Sequence, residues 1–483
     1  MNEKTFTYQT RLVLESRDLA ILQAYGKLYG EVERHLFADL QKDALSKNTL
    51  KSSYLEKYGI TARQFNAIRI SLEGKVSSCK ELQKRAIEDL AIKIPLLEKK
   101  FLKIKNKKVR HQKVRKLYAL KQKLASLREE HKEGKVSLSF GGKKLFHKQF
   151  FLEENGYNSH EEWKKDWVAA RSSEFFVLGS KDETCGNQSA TLVINADGTC
   201  HMRLRLPNVI AATCGTKYLF IKNLHFNHGH EHLLQALNEK KALTYRFKED
   251  GKGFTVFASF TREQAPVTTK AEVGAVGVDI NADHLAIVEI DRNGNPINKK
   301  TIPLCTYGAS KDQAKALIGD ACKEVVRFAK QVNKPIVAEK LDFKRKKATL
   351  KDNSSSKRSR MLSRFSYSLI LENLERKAFQ EGAGCNFVSP AFTSIIGRFK
   401  FAKRYGLSAH HAAALCIARR FFRFSEAPSK CPMKVVHKNV QVTFSLPVRN
   451  RKEPLWKFWK GAARKFQTAL AAHFRGSADP CYR

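Results

Sequence analysis

Negative charge is what this chain lacks. Its 483 residues include 47 Asp and Glu against 89 Lys and Arg, a formal net charge of +42. An excess of that size, spread along a folded chain, needs a polyanion to neutralise it. Nucleic acid fits, because each cation that meets a phosphate releases condensed counterions. An anionic membrane is the rival, but long apolar runs are missing as well. No stretch approaches ~18 uninterrupted apolar residues, so no transmembrane helix and no membrane partner are expected. The opening MNEKTFTYQT lacks the apolar core of a signal peptide, which predicts a cytoplasmic protein. Paired cysteines are missing too. The ten cysteines, at 79, 185, 200, 214, 305, 322, 385, 416, 431 and 481, form no CxxC pair. Neither a disulfide framework nor a zinc site is therefore expected. Cys416, within AAALCIA, reads as a small buried hydrophobe.

What is present suffices for a core: 42% of the chain is hydrophobic, and its length allows two or three domains. Tyr8 to Leu14 alternates as a strand does. From about Asp18 to Arg128, apolar residues at three- and four-residue spacing predict helices. Within that block Lys99 to Lys123 is densely basic. Ile104, Val114, Leu117 and Leu124 are its candidate buried stripe. Lys103, Lys107, Lys108, Arg110, Lys113 and Arg115 are candidates for phosphate contact, the plain alternative being a solvated face. From about Phe175 to Phe260 the pattern changes to strands. TLVINADGTCHMRLRLP predicts a hairpin around Asn195-Ala196-Asp197-Gly198, and LTYRFKEDGKGFTVFASF a second around Asp250-Gly251. With the N-terminal strand they suggest one small β-barrel or curled sheet, the helices being inserted between its first and second strands. Thr261 to Glu272 reads as a linker.

The chemistry-bearing segment is AVGVDINADHLAIVEID, Ala275 to Asp291. Two strands pair through a turn near Asn281-Ala282-Asp283, and the first carries Asp279. An aspartate inside a central strand is costly unless something positive meets it. Taken alone it would be a hydrogen-bonded strand-end residue. After a helix over Lys311 to Gln331, however, PIVAEKLDF (Pro335 to Phe343) forms a short strand carrying Glu339 near its end. Hairpin, helix, then a strand ending in Glu brings two carboxylates to one end of a sheet, and such a pair suits Mg²⁺. Further on, Ser408, Ala409, His410 and His411 precede a small-residue helix, with no acid between Cys385 and Phe424. Either histidine could ligand a metal or steer a water, or cap the helix or touch nucleic acid. Lys344 to Arg364 reads as a basic loop. Its Lys344, Arg345, Lys346, Lys347, Arg358, Arg360 and Arg364 are candidate phosphate contacts. The tail has a strand, VQVTFSLP, and an amphipathic helix with Trp456, Trp459 and Phe466 at core spacing.

GVDINADHLAI and IVAEKLDF resemble the first and second RuvC motifs of transposon-encoded TnpB proteins and compact type V CRISPR effectors. LSRFSYSLILENLERKAFQEG (362–382) resembles the helix after the second motif, and FVSPAFTS (387–394) the strand and loop that follow. The resemblance implies an α+β multidomain protein: a RuvC (RNase H-like) α/β domain plus a β-barrel wedge domain with a helical recognition insertion. The implied boundaries are 1–16 for the first wedge strand, 17–150 for the helical recognition domain, and 151–270 for the wedge. The RuvC-like domain then spans 271–425 and a basic C-terminal extension 426–483. Family members usually carry a zinc ribbon of two CxxC pairs before the third motif, and a third-motif aspartate. Here a cysteine-free connection and the His410–His411 pair stand instead.

The implied partners are guide RNA, a double-stranded DNA target and its displaced single strand, in a prokaryotic cell and on the nucleoid when DNA-bound. Asp279 and Glu339 would bind Mg²⁺ or Mn²⁺, with His410 as third ligand and His411 the alternative. The implied function is RNA-guided DNA cleavage. Two alternatives stand beside it: a cleavage-deficient RNA-guided binder acting by occupancy, and a guide-independent RNase H-like transposase or resolvase.

Overall fold

Strand β1 (Glu3–Arg11) pairs with the strand furthest from it in its own half of the chain. It lies antiparallel to β7 (Gly253–Glu263), in register from Glu3↔Glu263 to Arg11↔Thr255. It begins before the expected Tyr8 because Phe6 already supplies a buried position. The computed structural model describes residues 3–41, 47–102, 104, 106–181, 184–195, 199–306, 308–340, 367–427, 433–437 and 440–476. These divide into two units, Met1–Glu263 and Gln264–Arg483, in a mixed α/β chain with several sheets.

In the first unit, a helical block runs between β1 and β2 (Glu174–Val177), as the sequence predicts. It comprises α1 (Ser16–Leu40), α2 (Lys47–Tyr58), α3 (Ala62–Phe101), α4 (Lys107–Lys132), α5 (Lys143–Lys148) and α6 (His160–Ser172). Helix α1 buries Leu22, Tyr25, Tyr29, Val32 and Leu36, a 3-4-3-4 stripe. The basic helix α4 differs from expectation. No residue of it is buried: Leu117 and Leu124 are only half-covered and Val114 is 44% exposed. It packs along α3, so its cations keep an open face.

The two expected hairpins both form, but not in one sheet. Strands β3 (Ala190–Ile194) and β4 (Cys200–Arg205) pair with β5 (Tyr218–Leu224) in a three-stranded sheet. Strands β6 (Thr244–Asp250) and β7 join β1 and β2 in the order β1-β7-β6-β2. The single barrel or curled sheet is thus replaced by two sheets, whose inner faces share one core. Two short helices, α7 (Asn208–Cys214) and α8 (His230–Asn238), also interrupt the strands. Each is too short to show a periodic pattern.

The second unit is built on a five-stranded sheet of order β10-β9-β8-β11-β12. Strands β8 (Ala275–Ile280), β9 (His284–Ile290) and β10 (Pro296–Pro303) form an antiparallel meander; β11 (Ile336–Glu339) and β12 (Cys385–Val388) add in parallel. Helix α9 (Lys311–Gln331) makes the first crossover, fixed at its start by a Ser310–Gln313 capping box. Helix α10 (Tyr367–Glu381) makes the second. Both cover one face, where Val276, Val278 and Ala338 meet Ile318, Val325 and Leu374.

The opposite face holds α11 (Thr393–Ile396), a π-helical stretch over Gly397–Ala402, and α12 (Ala409–Phe421). Strand β8 and α12 approach closely because position 277 is glycine: a Cβ there would overlap the Ala414 carbonyl and lie 2.9 Å from Ala418 Cβ. Strands β13 (Met433–His437) and β14 (Val440–Phe444) and helix α13 (Leu455–Gly476) follow. Val442, Phe444, Trp459 and Phe466 pack with Ile396 and Phe399, so the segment read as a separate extension completes this core. Trp459 and Phe466 are core anchors, as expected. Trp456 is not: it is 47% exposed and lies under the Arg420 guanidinium. The expected linker is also held in place, since the amides of Ala265, Thr268 and Lys270 donate to the carbonyls of Phe379, Gly382 and Asn333.

Candidate functional site

Asp279 and Glu339 sit at the C-terminal ends of β8 and β11, which run side by side in parallel. Ala338 pairs with Val278, so the two acids are the next step of the same register. Neighbouring strands lie ~4.8 Å apart, and residues matched in parallel register point to one side. That side carries α12, because Gly277, two residues before Asp279, faces Ala414, and Val337 shares its core. Each acid is only 8% exposed. A buried carboxylate needs donors, and each has one from the side. Asn281 Nδ2 donates to Asp279 Oδ2 at 3.0 Å, and the Thr393 hydroxyl donates to Glu339 Oε1. Below Glu339, the Tyr367 hydroxyl donates to its backbone carbonyl, tying the end of β11 to α10.

The two histidines of α12 do different things. His410 Nδ1 lies 3.2 Å from Asp279 Oδ2, and that bond raises the imidazole pKa above its usual 6.5. Its ring stands edge-on to His284 at 4.9 Å, and His284 Nδ1 meets Asp283 Oδ1 at 2.7 Å. His411 lies a 100° helical step away and turns to β10 instead. Its Nε2 is 3.2 Å from the Lys300 carbonyl and its Nδ1 2.8 Å from Ser408 Oγ. Burial lowers its pKa. The ring is engaged with the strand and the helix cap.

The donor chemistry can be tested against a divalent cation. Two buried carboxylates on one face present hard oxygens, which fits Mg²⁺ or Mn²⁺ held by one or two acids and the substrate's own phosphate. His410 fits less well, because its Nδ1 already faces Asp279 Oδ2 at 3.2 Å. Among the described residues no three His, Cys, Asp or Glu side chains stand together as a ready-made metal cluster. Of the expected set, Asp279 and Glu339 form a buried carboxylate pair, and His410 is hydrogen-bonded to Asp279.

Several residues here were not singled out from sequence. Asn281 bonds Asp279 from the turn, Thr393 reaches Glu339 from 54 residues away, and His284 stands beside His410. Arg398, on the π-helical stretch, is close enough to oppose protonation of His410; its Nε is buried with no hydrogen-bond partner among the described residues, and its guanidinium lies over Phe466. π-Helical turns recur at functional sites. Of the expected phosphate contacts, Lys107, Lys108, Arg110, Lys113 and Arg115 are all exposed on α4 in the first unit. Lys103, Lys344, Arg345, Lys346, Lys347, Arg358, Arg360 and Arg364 lie outside the described residues. No helix among the described residues is long and apolar enough to cross a membrane.

No family model and no curated protein matches the chain. Among solved structures it is similar to T. thermophilus RuvC bound to a Holliday junction substrate, at 16% identity and a TM-score of 0.22 over 31% of this chain and 93% of that one. It is also similar to a CRISPR-Cas12f ternary complex, at 13% identity and TM-score 0.23 over 86% and 98%. A Cas12i1 R-loop complex after target DNA cleavage follows at 9% and 0.25, over 64% and 52%. TM-scores this low do not carry the fold, which is defined here by the chain's own strand order and packing.

Proposed function

We propose that this chain is an RNA-guided DNA-binding protein whose second unit is a RuvC-like, metal-dependent DNA endonuclease. The observation that carries the reading is the register-matched pair of buried acids, Asp279 and Glu339, on adjoining parallel strands. Two carboxylates buried side by side at the ends of adjoining strands are costly as structure alone. The net charge of +42 and the uncovered cations of α4 supply the polyanion partner. In such a system base pairing reads the sequence, while the protein reads backbone shape and charge.

When bound, the divalent cation would stabilise charge on the attacked phosphate and its entering and leaving oxygens. The chain's own residues do the rest. Asn281 and Thr393 hold the two carboxylates in orientation through Asp279 Oδ2 and Glu339 Oε1. His410 Nδ1, 3.2 Å from Asp279 Oδ2, holds that carboxylate from the helix side. Gly277 lets α12 close on the sheet and exclude water beneath the acids. Arg398 adds positive charge on the same side.

A second reading is favoured by one feature: the third-motif position holds His410, and no acid occurs between Cys385 and Phe424. A chain that retains guidance but not cutting would silence by occupancy. Guide-matched DNA incubated with Mg²⁺ or Mn²⁺ separates the two. The first reading predicts cleavage that Asp279→Ala and Glu339→Ala each abolish while DNA binding persists. Cleavage that survives Asp279→Ala removes this site from the mechanism, and binding without cleavage establishes the second reading. A discrete RNA that co-purifies and resists added nuclease supports guidance; its absence returns the chain to the transposase or resolvase class.

A further inference from the structure

The turn between β8 and β9 carries two polar side chains beside the acids, Asp283 and His284. Register places them. Ile280 pairs with Leu285, so the next step of the ladder sets Asn281 opposite His284. Alternation along the strands then puts Asp279, Asn281 and His284 on one face of the sheet, the face that carries α12. The turn is held by its backbone. The Asn281 amide donates to the His284 carbonyl at 2.9 Å, and the Leu304 amide to the Asp283 carbonyl at 2.8 Å.

The side chains stand in series. His284 Nδ1 lies 2.7 Å from Asp283 Oδ1. A carboxylate accepts, so this contact draws the ring N–H to Nδ1 and leaves the Nε2 lone pair for another partner. Metal-binding histidines are held in the same way, one nitrogen donating to a carboxylate and the other on the metal. His284 Nε2 meets the side-chain amide of Asn281, whose Nδ2 is 3.4 Å from it and 3.0 Å from Asp279 Oδ2. One NH₂ group thus bridges an imidazole nitrogen and a carboxylate oxygen, the two donor types that a transition ion would join. Both side-chain contacts to Asp279 fall on Oδ2, and its Oδ1 makes no hydrogen bond among the described residues. His410 is placed differently. Its Nδ1 is engaged on Asp279 Oδ2, and its ring stands edge-on to His284 at 4.9 Å.

We propose that His284 Nε2, backed by Asp283, is the nitrogen ligand of a divalent transition ion carried by Asp279, and that the site therefore prefers Mn²⁺ to Mg²⁺. Mg²⁺ keeps to oxygen ligands, whereas first-row transition ions accept imidazole as well. The Asn281 contact at 3.4 Å is the one given up on binding, and the shorter bond to Asp279 Oδ2 remains. A ligand from the β8–β9 turn also supplies a donor that α12, which carries no acid, does not. The inference rests on the reading of Asp279 and Glu339 as a cation-binding pair, and adds to it a ligand and a metal preference.

The full chain, stripped of metal, would be titrated with Mn²⁺ and followed by electron paramagnetic resonance, with pulsed measurements reading nitrogen hyperfine coupling from a coordinated imidazole. The wild-type chain should show that coupling. Asp283→Asn should weaken Mn²⁺ binding by about 10- to 100-fold, the cost of losing the carboxylate behind a metal-bound imidazole. His284→Ala should abolish the coupling and weaken binding at least as far, while His410→Ala should retain the coupling. Mg²⁺ should displace Mn²⁺ more readily from His284→Ala than from wild type. The Asp283 side chain is 73% exposed, so Asp283→Asn should match the wild-type unfolding midpoint and exclude misfolding as the cause. Coupling that survives His284→Ala, or that is lost in His410→Ala instead, overturns the inference. Mn²⁺ binding that Asp279→Ala abolishes but that shows no nitrogen coupling also overturns it, and leaves the parent reading intact. Absence of any Mn²⁺ binding that depends on Asp279 overturns both.

Discussion

Replacing Gly277 by alanine adds a single methyl group where the sheet and the Ala-rich helix touch. The new Cβ would overlap the Ala414 carbonyl oxygen and lie 2.9 Å from Ala418 Cβ and 3.0 Å from the Ala414 carbonyl carbon. Ordinary carbon contacts are about 3.5–4.0 Å, so α12 must retreat by about 1 Å or β8 must bend. Two of the three neighbours are backbone atoms, and neither can rotate away. Overpacking of this kind costs about 1–3 kcal/mol. For a unit of this size that is a fall in Tm of roughly 2–12 °C. Gly319 in α9 is the internal control, since a Cβ there meets nothing within 4 Å. Gly319→Ala should stabilise by about 0.5–1 kcal/mol through helix propensity and raise Tm. Thermal unfolding followed by circular dichroism measures both. A Gly277→Ala variant that melts at or above wild type refutes the close packing of α12 on β8, and with it the placement of His410 beside Asp279.

Three further outcomes follow from the same geometry. The His410 pKa lies above 6.5 because Asp279 accepts its proton, so the pair's contribution to stability is full below about pH 6.5 and is lost as pH rises through the raised value; an NMR titration should show Asp279→Asn lowering that pKa, and an unchanged value contradicts the hydrogen bond. Replacing Lys107, Lys108, Arg110, Lys113 and Arg115 together by Gln should flatten the salt dependence of duplex DNA binding by about 0.9 log units per decade for each phosphate no longer neutralised, up to roughly 4.5, and an unchanged slope removes α4 from the interface. Lys334 Nζ is buried 2.7 Å from Glu289 Oε1, so Glu289→Ala should cost about 3–5 kcal/mol in denaturant unfolding, with most of the loss recovered when Lys334→Met is added; no recovery denies the pairing.

The acid-bearing core of the second unit was legible because its signals are local along the chain. The turn at Asn281 to Asp283 separates β8 from β9, the 3.6-residue period of Lys311–Gln331 marks α9, and β11 ends in Glu339. Sheet membership in the first unit was legible only in part: the N-terminal strand joins the second expected hairpin, while the first hairpin forms a sheet of its own. β1 finds its partner at the far end of the unit, and nothing near Tyr8 or Phe257 records which strands will adjoin. The roles of His410 and His411 depend on helix phase. His410, Ala414 and Ala418 recur at four-residue spacing, and that small-residue stripe facing Gly277 was the available signal that His410, not His411, meets Asp279. Thr393, His284 and Arg398 carry no such mark, since their positions are set by the turn after β12, the meander and the π-helical stretch. The place of the C-terminal segment was hidden because Trp459 and Phe466 show an apolar stripe without showing what it covers.

The most direct test of the central claim is to load the nucleic-acid-bound chain with Fe²⁺ in place of Mg²⁺, generate hydroxyl radicals at the bound ion, and map where the backbone is cut. One ion held between β8 and β11 should cut near residue 279 and near residue 339 together, and Asp279→Ala or Glu339→Ala alone should abolish both sets of cuts. Cuts confined to one strand, or cuts at both that persist in either variant, would mean that the two acids do not share a cation.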